Sequence, residues 1–137
     1  MHSSLRQGMV AALLAGSLGL ANATTVHVVL TGAHEIPPVE TAARGSGVIR
    51  VETSGKVSGA ITTHGVKVTM AHIHLGPVDS NGPPIIWLKR GPHGTWVVPS
   101  GAKLTPSQYK SFLAGELYIN VHSLKHPAGE IRGQLIP

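Results

Sequence analysis

The 137-residue chain has no cysteine. Disulfide frameworks, thiolate metal sites and cysteine nucleophiles are therefore excluded. Aromatic residues are scarce: one Phe, two Trp and two Tyr. A core must be built from Val, Ile, Leu and Ala. Clusters of charge are missing too. The basic residues are scattered singly, with no basic block and no interleaved aromatics, which argues against a nucleic-acid partner. Also absent are a Gly-x-Ser-x-Gly elbow, a phosphate loop and a paired-carboxylate motif, so a hydrolase has little support. The longest apolar run, Met9 to Leu20, is shorter than the about 20 residues that cross a bilayer, so no stable membrane span is expected.

What is present begins with the N-terminus, MHSSLRQGMVAALLAGSLGLANA. Arg6 gives a positive start, the apolar run follows, and Ala21 and Ala23 flank Asn22. This is the pattern of a secretory signal peptide over residues 1–23, with the mature domain at 24–137. A periplasmic or secreted location is the expectation. Without Arg6, ten Lys and Arg face six Asp and Glu, a mild positive balance suited to small anions.

Gly, Pro and Ser punctuate the rest at short intervals, as in an all-β domain. Strands are expected at Thr25–Thr31, Gly47–Glu52, Lys56–Thr63, Lys67–Leu75, Ile85–Leu88, Glu116–Ser123 and Glu130–Ile136. A minor strand is expected at Thr95–Val98. Ser54-Gly55 is a hairpin turn signal. Two long loops, Gly32–Ala43 and Lys89–Thr105, interrupt the pattern. Thr105-Pro106 reads as an N-cap with Pro at the first helical position, followed by two turns over Ser107–Leu113 and a stop at Gly115. The sum is an antiparallel, Greek-key-like sandwich or flattened barrel of about seven or eight strands with one short helix.

The chemistry centres on histidine, of which there are nine. His72 and His74 are two apart on one strand, so they share a face about 7 Å apart. On Glu116–Ser123, Leu117, Ile119 and Val121 form the core-facing set, and Tyr118, Asn120 and His122 face away. On the last strand Ile131, Gly133 and Leu135 face the core, while Glu130, Arg132 and Gln134 face outward. If these two strands pair as a hairpin, His122 and Arg132 lie on the same outer face. The expectation is that three histidines converge on the outside of the sandwich under the two long loops, with Arg132 nearby. Neutral imidazoles suit copper, zinc, iron and nickel. His93 and His126 are candidates for a fourth ligand; His34 and His64 are weaker. A lone strand-end His more often bonds backbone than metal, and His27 reads as a surface residue. Arg132 has a plain alternative as an ion-pair partner of Glu130 or Glu116. Glu35 and Glu40, flanking Pro37-Pro38, read as solvated, and Asp79 as a turn residue.

Four segments, LTGAHEIPPV (30–39), AHIHLGP (71–77), LYINVH (117–122) and GEIRGQL (129–135), in that order, resemble the CHRD domain family. That domain is named after chordin and is widespread in exported bacterial proteins. The resemblance covers nearly the whole of residues 24–137 and implies a β-sandwich in an extracytoplasmic setting. A more distant similarity is to copper-zinc superoxide dismutases, which place a His-x-His strand and a later strand-end His on copper. That likeness implies His72, His74 and His122 as copper ligands, Arg132 as the residue guiding an anionic substrate, and His93 in the place of a loop histidine. The zinc-ligand cluster of that enzyme family has no counterpart here, so a mononuclear site is what carries over.

Two readings follow. One is a single redox metal, copper first and iron second, with superoxide as the small-anion substrate and Arg132 as the catalytic cation. The other is a non-catalytic module that contacts an envelope or matrix partner, or a metal-storage or delivery protein.

Overall fold

The computed structural model describes residues 22–137. Residues 1–21, most of the expected leader, lie outside the described residues. The β-branched runs form β1 (Ala23–Thr31), β2 (Arg44–Glu52), β3 (Val57–His64) and β4 (Val68–Leu75). Short strands β5 (Pro84–Trp87), β6 (Lys89–Arg90) and β7 (Thr95–Val97) follow. The helix α1 (Pro106–Leu113) precedes β8 (Leu117–Ser123) and β9 (Ile131–Leu135). All nine strands belong to one sheet, in the order β5-β4-β8-β9-β1-β2-β3-β7-β6, and every pairing is antiparallel.

The sheet nearly closes on itself. Its two ends, β5 and β6, are consecutive in the chain and separated only by Leu88. Leu88 donates its amide to Ala71 O at 2.9 Å, and Arg90 Nη2 donates to Val68 O at 2.8 Å. One segment thus bonds β4 on one side and β7 on the other. The architecture is a barrel-like sheet with nine strands, one or two more than the sequence pattern indicates. The extra one is β6, whose two residues are too few to show an alternating pattern.

Alternation fills the interior. Leu30, Ile49, Ile61, Ile73, Ile119, Ile131 and Leu135 are each at most 1% exposed. Burying such a side chain stabilises the fold by about 1.5–3 kcal/mol. The single Phe, Phe112, projects from α1 into this core. The helix starts on a reciprocal cap: Gln108 N donates to Thr105 Oγ1, and Thr105 N donates to Gln108 Oε1. Gly115, at φ +75°, ends it. A Cβ on Gly133 would stand 2.5 Å from Val29 O, so only glycine lets β1 cross β9 this closely.

Strands β4, β8 and β9 lie side by side and position the site. Every residue of β8 is buried, so both of its faces are covered. The inner face meets the core. The outer face, which the alternation pattern turns away from the core, is roofed by residues 32–43 and 76–83.

Candidate metal centre

The register brings the chemistry-bearing side chains into rows. His74 lies opposite Tyr118, His72 opposite Asn120, and Met70 opposite His122 across β4 and β8. Across β8 and β9, Tyr118 faces Gln134 and Asn120 faces Arg132. Ala71 and Ile73 are each 1% exposed and point into the core. His72 and His74 therefore point out of it, toward His122.

The three imidazoles converge. One ring nitrogen from each of His72, His74 and His122 lies within 4.8 Å of the others. All three residues are buried, at 5%, 7% and 8% exposure. His122 Nδ1 is 2.9 Å from Pro127 O, and His74 Nδ1 is 2.9 Å from Gly82 O. A carbonyl only accepts, so both Nδ1 atoms carry the proton and both Nε2 atoms present lone pairs. His72 Nδ1 lies 3.1 Å from His122 Nε2, and in the metal-free protein a single proton bridges them. His72 Nε2 and His74 Nε2 are buried and have no hydrogen-bond partner.

A metal ion fits this donor set. Buried polar atoms are normally paired, so two orphaned ring nitrogens in one cluster call for a ligand. Burial, reinforced by His122 and His74, lowers the His72 pKa to about 4. Burial also lowers that of His74; the Gly82 bond opposes the shift, while His122 and Arg132 add to it. Both rings are thus neutral at pH 7, as ligation requires.

The backbone carbonyls that fix these tautomers would also hold the rings in place around a bound ion. The 76–83 loop, which carries Gly82, is strapped to the sheet. Tyr118 Oη accepts from Gly82 N at 2.9 Å. Gln134 Nε2 donates to Gly76 O and Gly115 O at 2.9 and 2.8 Å. A Cβ on Gly82 would stand 1.7 Å from Leu75 O, so the approach is open to glycine alone.

Arg132 is the main strap. It is 1% exposed. Nη1 donates to Asn81 Oδ1, and Nη2 lies within 2.9–3.2 Å of Pro77 O, Ser80 O and Gln134 Oε1. Its guanidinium carbon sits 3.5 Å from the centroid of the Tyr118 ring, which stacks in turn on His74 at 4.8 Å. Three planar groups from three adjacent strands therefore form one row. Arg132 bonds neither Glu130 nor Glu116. Glu130 instead accepts from Thr41 Oγ1 and Ser123 Oγ, each at 2.7 Å.

Sequence reasoning places His72, His74, His122 and Arg132 in one neighbourhood, and the structure brings them together. The other two candidates lie outside the cluster. His93 is exposed, at φ +55°, in the tight turn between β6 and β7. His126 sits in the β8–β9 turn, where its backbone carbonyl accepts from Ser123 N and Gly129 N. The roof also differs from the sequence expectation. Its second loop is 76–83, not Lys89–Thr105, because Arg132, Gln134 and Tyr118 offer donors that bind its carbonyls.

Glu35 is the residue that sequence reasoning misses. It reads as solvated but is buried, at 6% exposure. Oε1 accepts a short hydrogen bond from Asn120 Nδ2. Burial raises its pKa to about 7, against the opposing pull of the Asn120 bond and the Arg132 charge. Only the Glu-Ile-Pro-Pro segment of the family pattern marks it in the sequence.

These shifts have opposite effects on stability. The folded-state pKa of His72 and His74 lies below the unfolded value, so the unfolded chain binds more protons as pH falls from about 6.5 to 4. Their contribution weakens on acidification. Glu35 is raised from 4.5 to about 7, so the folded state binds more protons in that window and its contribution weakens as pH rises. Metal-free Glu35→Gln, which stays neutral, should therefore gain stability relative to wild type as pH goes from about 5 to 8. Urea unfolding at the two pH values checks this. An unchanged difference between the two proteins would contradict the buried, proton-holding carboxyl.

The CHRD domain profile matches residues 26–135. The chain belongs to the CHRD domain family. The match runs from β1 to the end of β9 and so contains the three histidines, the roof and Arg132. No curated protein and no solved structure matches the chain. Among the described residues, no helix is long and apolar enough to cross a membrane.

Proposed function

We propose that this CHRD domain is an exported protein that holds one redox metal ion on His72, His74 and His122, copper before iron, and that the loaded site dismutates superoxide. The observation that carries the reading is the pair of buried, partnerless nitrogens, His72 Nε2 and His74 Nε2, inside a three-imidazole cluster. Imidazole donors without thiolate or carboxylate favour copper over the harder divalent ions. Copper, when bound, supplies a one-electron couple: one superoxide is oxidised to dioxygen, and a second takes the electron and two protons to give hydrogen peroxide.

The chain's own part is positional. Gly82 O and Pro127 O orient two of the rings, and the 76–83 loop keeps water from the His74 side. Arg132 adds positive charge beside the site, which favours an approaching anion. Its role is that of a positioning residue, since its hydrogen bonds run to the loop and to Gln134.

That engagement of Arg132 also favours a second reading, metal storage or delivery without turnover. Superoxide consumption separates the two. Copper-loaded protein should consume superoxide faster than the same copper held by a chelator, and the rate should fall with rising salt. A loaded site no faster than chelated copper would remove the dismutase and leave storage or delivery. Export is supported by the N-terminal pattern of Arg6, the apolar run and Ala21-Asn-Ala23.

A further inference from the structure

Strand β4 carries a third side chain toward the histidines. Val68 is a core residue at 7% exposure, and the pairing of β4 with β8 shifts register between Val68 and Met70. From Met70 onward the alternation is regular, with Ala71 and Ile73 in the core. Met70, His72 and His74 therefore share a face. Met70 is also the direct cross-strand partner of His122. Cβ atoms of such partners lie about 4.5–5.5 Å apart. Met70 thus has one cluster histidine beside it along its own strand and another directly across.

The exposure of Met70 is unusual for its setting. The three histidines are nearly buried, yet Met70 is 50% exposed, and Trp87, whose ring meets His72 edge to face at 5.4 Å, is 57% exposed. Neither belongs to the hydrophobic core. A flexible thioether beside an imidazole cluster suits coordination better than packing. Three torsions let its sulfur swing, and thioether sulfur is a soft donor that selects cuprous copper.

We propose that Met70 is an additional donor of the centre, a thioether that strengthens its hold on Cu(I) while leaving Cu(II) to the three imidazoles. This rests on the metal-site reading of His72, His74 and His122. The side of the cluster where Met70 and Trp87 reach solvent is then the side from which copper enters and leaves.

The test uses Met70→Leu, a swap of similar volume at a half-exposed position. Cu(I) affinity is measured anaerobically by competition with bicinchoninate, and Cu(II) affinity by competition with glycine. The substitution should weaken Cu(I) binding by about ten-fold or more, on the scale of losing a supporting contact at a metal site, with Cu(II) affinity nearly unchanged. X-ray absorption of the Cu(I) protein should show a sulfur scatterer in wild type that is absent from the variant. Equal Cu(I) affinities and no sulfur scatterer would overturn the role of Met70 and leave the imidazole site standing. A wild-type protein that binds neither Cu(I) nor Cu(II) would overturn both.

Discussion

Arg132→Met is expected to lower the unfolding free energy by about 3 kcal/mol or more, a large fraction of the stability of a domain this size. The guanidinium is fully buried, and its partners are Asn81 Oδ1, Pro77 O, Ser80 O and Gln134 Oε1. A thioether donates to none of them. Each acceptor left dry costs about 1–3 kcal/mol. The loss is partly offset, because burial already works against the charged guanidinium and Met replaces much of its volume. Loop opening would rehydrate some carbonyls, which bounds the cost near the lower figure. Arg132→Lys should recover only part of it, since an ammonium lacks the planar fork and stacks poorly on Tyr118. Urea denaturation of the metal-free proteins measures this. A loss below about 1 kcal/mol for Met, the scale of an ordinary surface change, would show that Arg132 does not hold the 76–83 loop.

The same substitution links the fold to the site. His74 takes its orientation from Gly82 O on that loop and from the Tyr118 ring beneath Arg132. Freeing the loop therefore loosens one imidazole of the cluster's three. Arg132→Met protein that remains folded should bind copper more weakly, by about 10- to 100-fold, as when other outer-shell supports are lost.

Strand parity made much of this legible in the sequence. Alternation along Leu117–Ser123 places Leu117, Ile119 and Val121 inward and His122 outward, and the His72/His74 spacing does the same for β4. Alternation on three strands and two pairings, β4 with β8 and β8 with β9, gather three histidines and Arg132; the sequence indicates the second pairing, and the first is non-local. The hairpin at Ser54-Gly55 and the capped helix at Thr105 are equally local, and both are present. What escaped the sequence is non-local. Glu35 reaches Asn120 across 85 positions, and no periodicity in a Pro-rich loop indicates that it folds back over β8. The choice of roof followed the same logic. Lys89–Thr105 is the longer loop, but Gly76–Pro83 holds the carbonyls and the Gly82 approach that fit Arg132, Tyr118 and His74. His93 is a candidate by its place in the long loop and by the dismutase likeness, and His126 by its place just past His122; neither lies on a strand whose alternation would set its position relative to the cluster.

On the proposed reading, His72, His74 and His122 form one metal site. If so, His122→Ala and the double variant His72→Ala/His74→Ala each remove donors from the same ion. Loss of one imidazole of three should weaken copper binding by at least about 100-fold, more than loss of any outer-shell group. Loss of two should abolish a defined site. Folding is the control. The metal-free variants lose buried imidazoles and their bonds to Gly82 O or Pro127 O, so they should melt below wild type yet stay folded, whereas the wild-type protein alone should gain thermal stability when copper is added. The decisive measurement is a copper titration of untagged residues 24–137 with the copper content of the recovered protein. The prediction is one copper per chain for wild type, a melting temperature raised by copper, and neither for His72→Ala/His74→Ala. Equal and negligible copper in both proteins, or equal stoichiometric copper in both, would contradict a metal centre built on these three histidines.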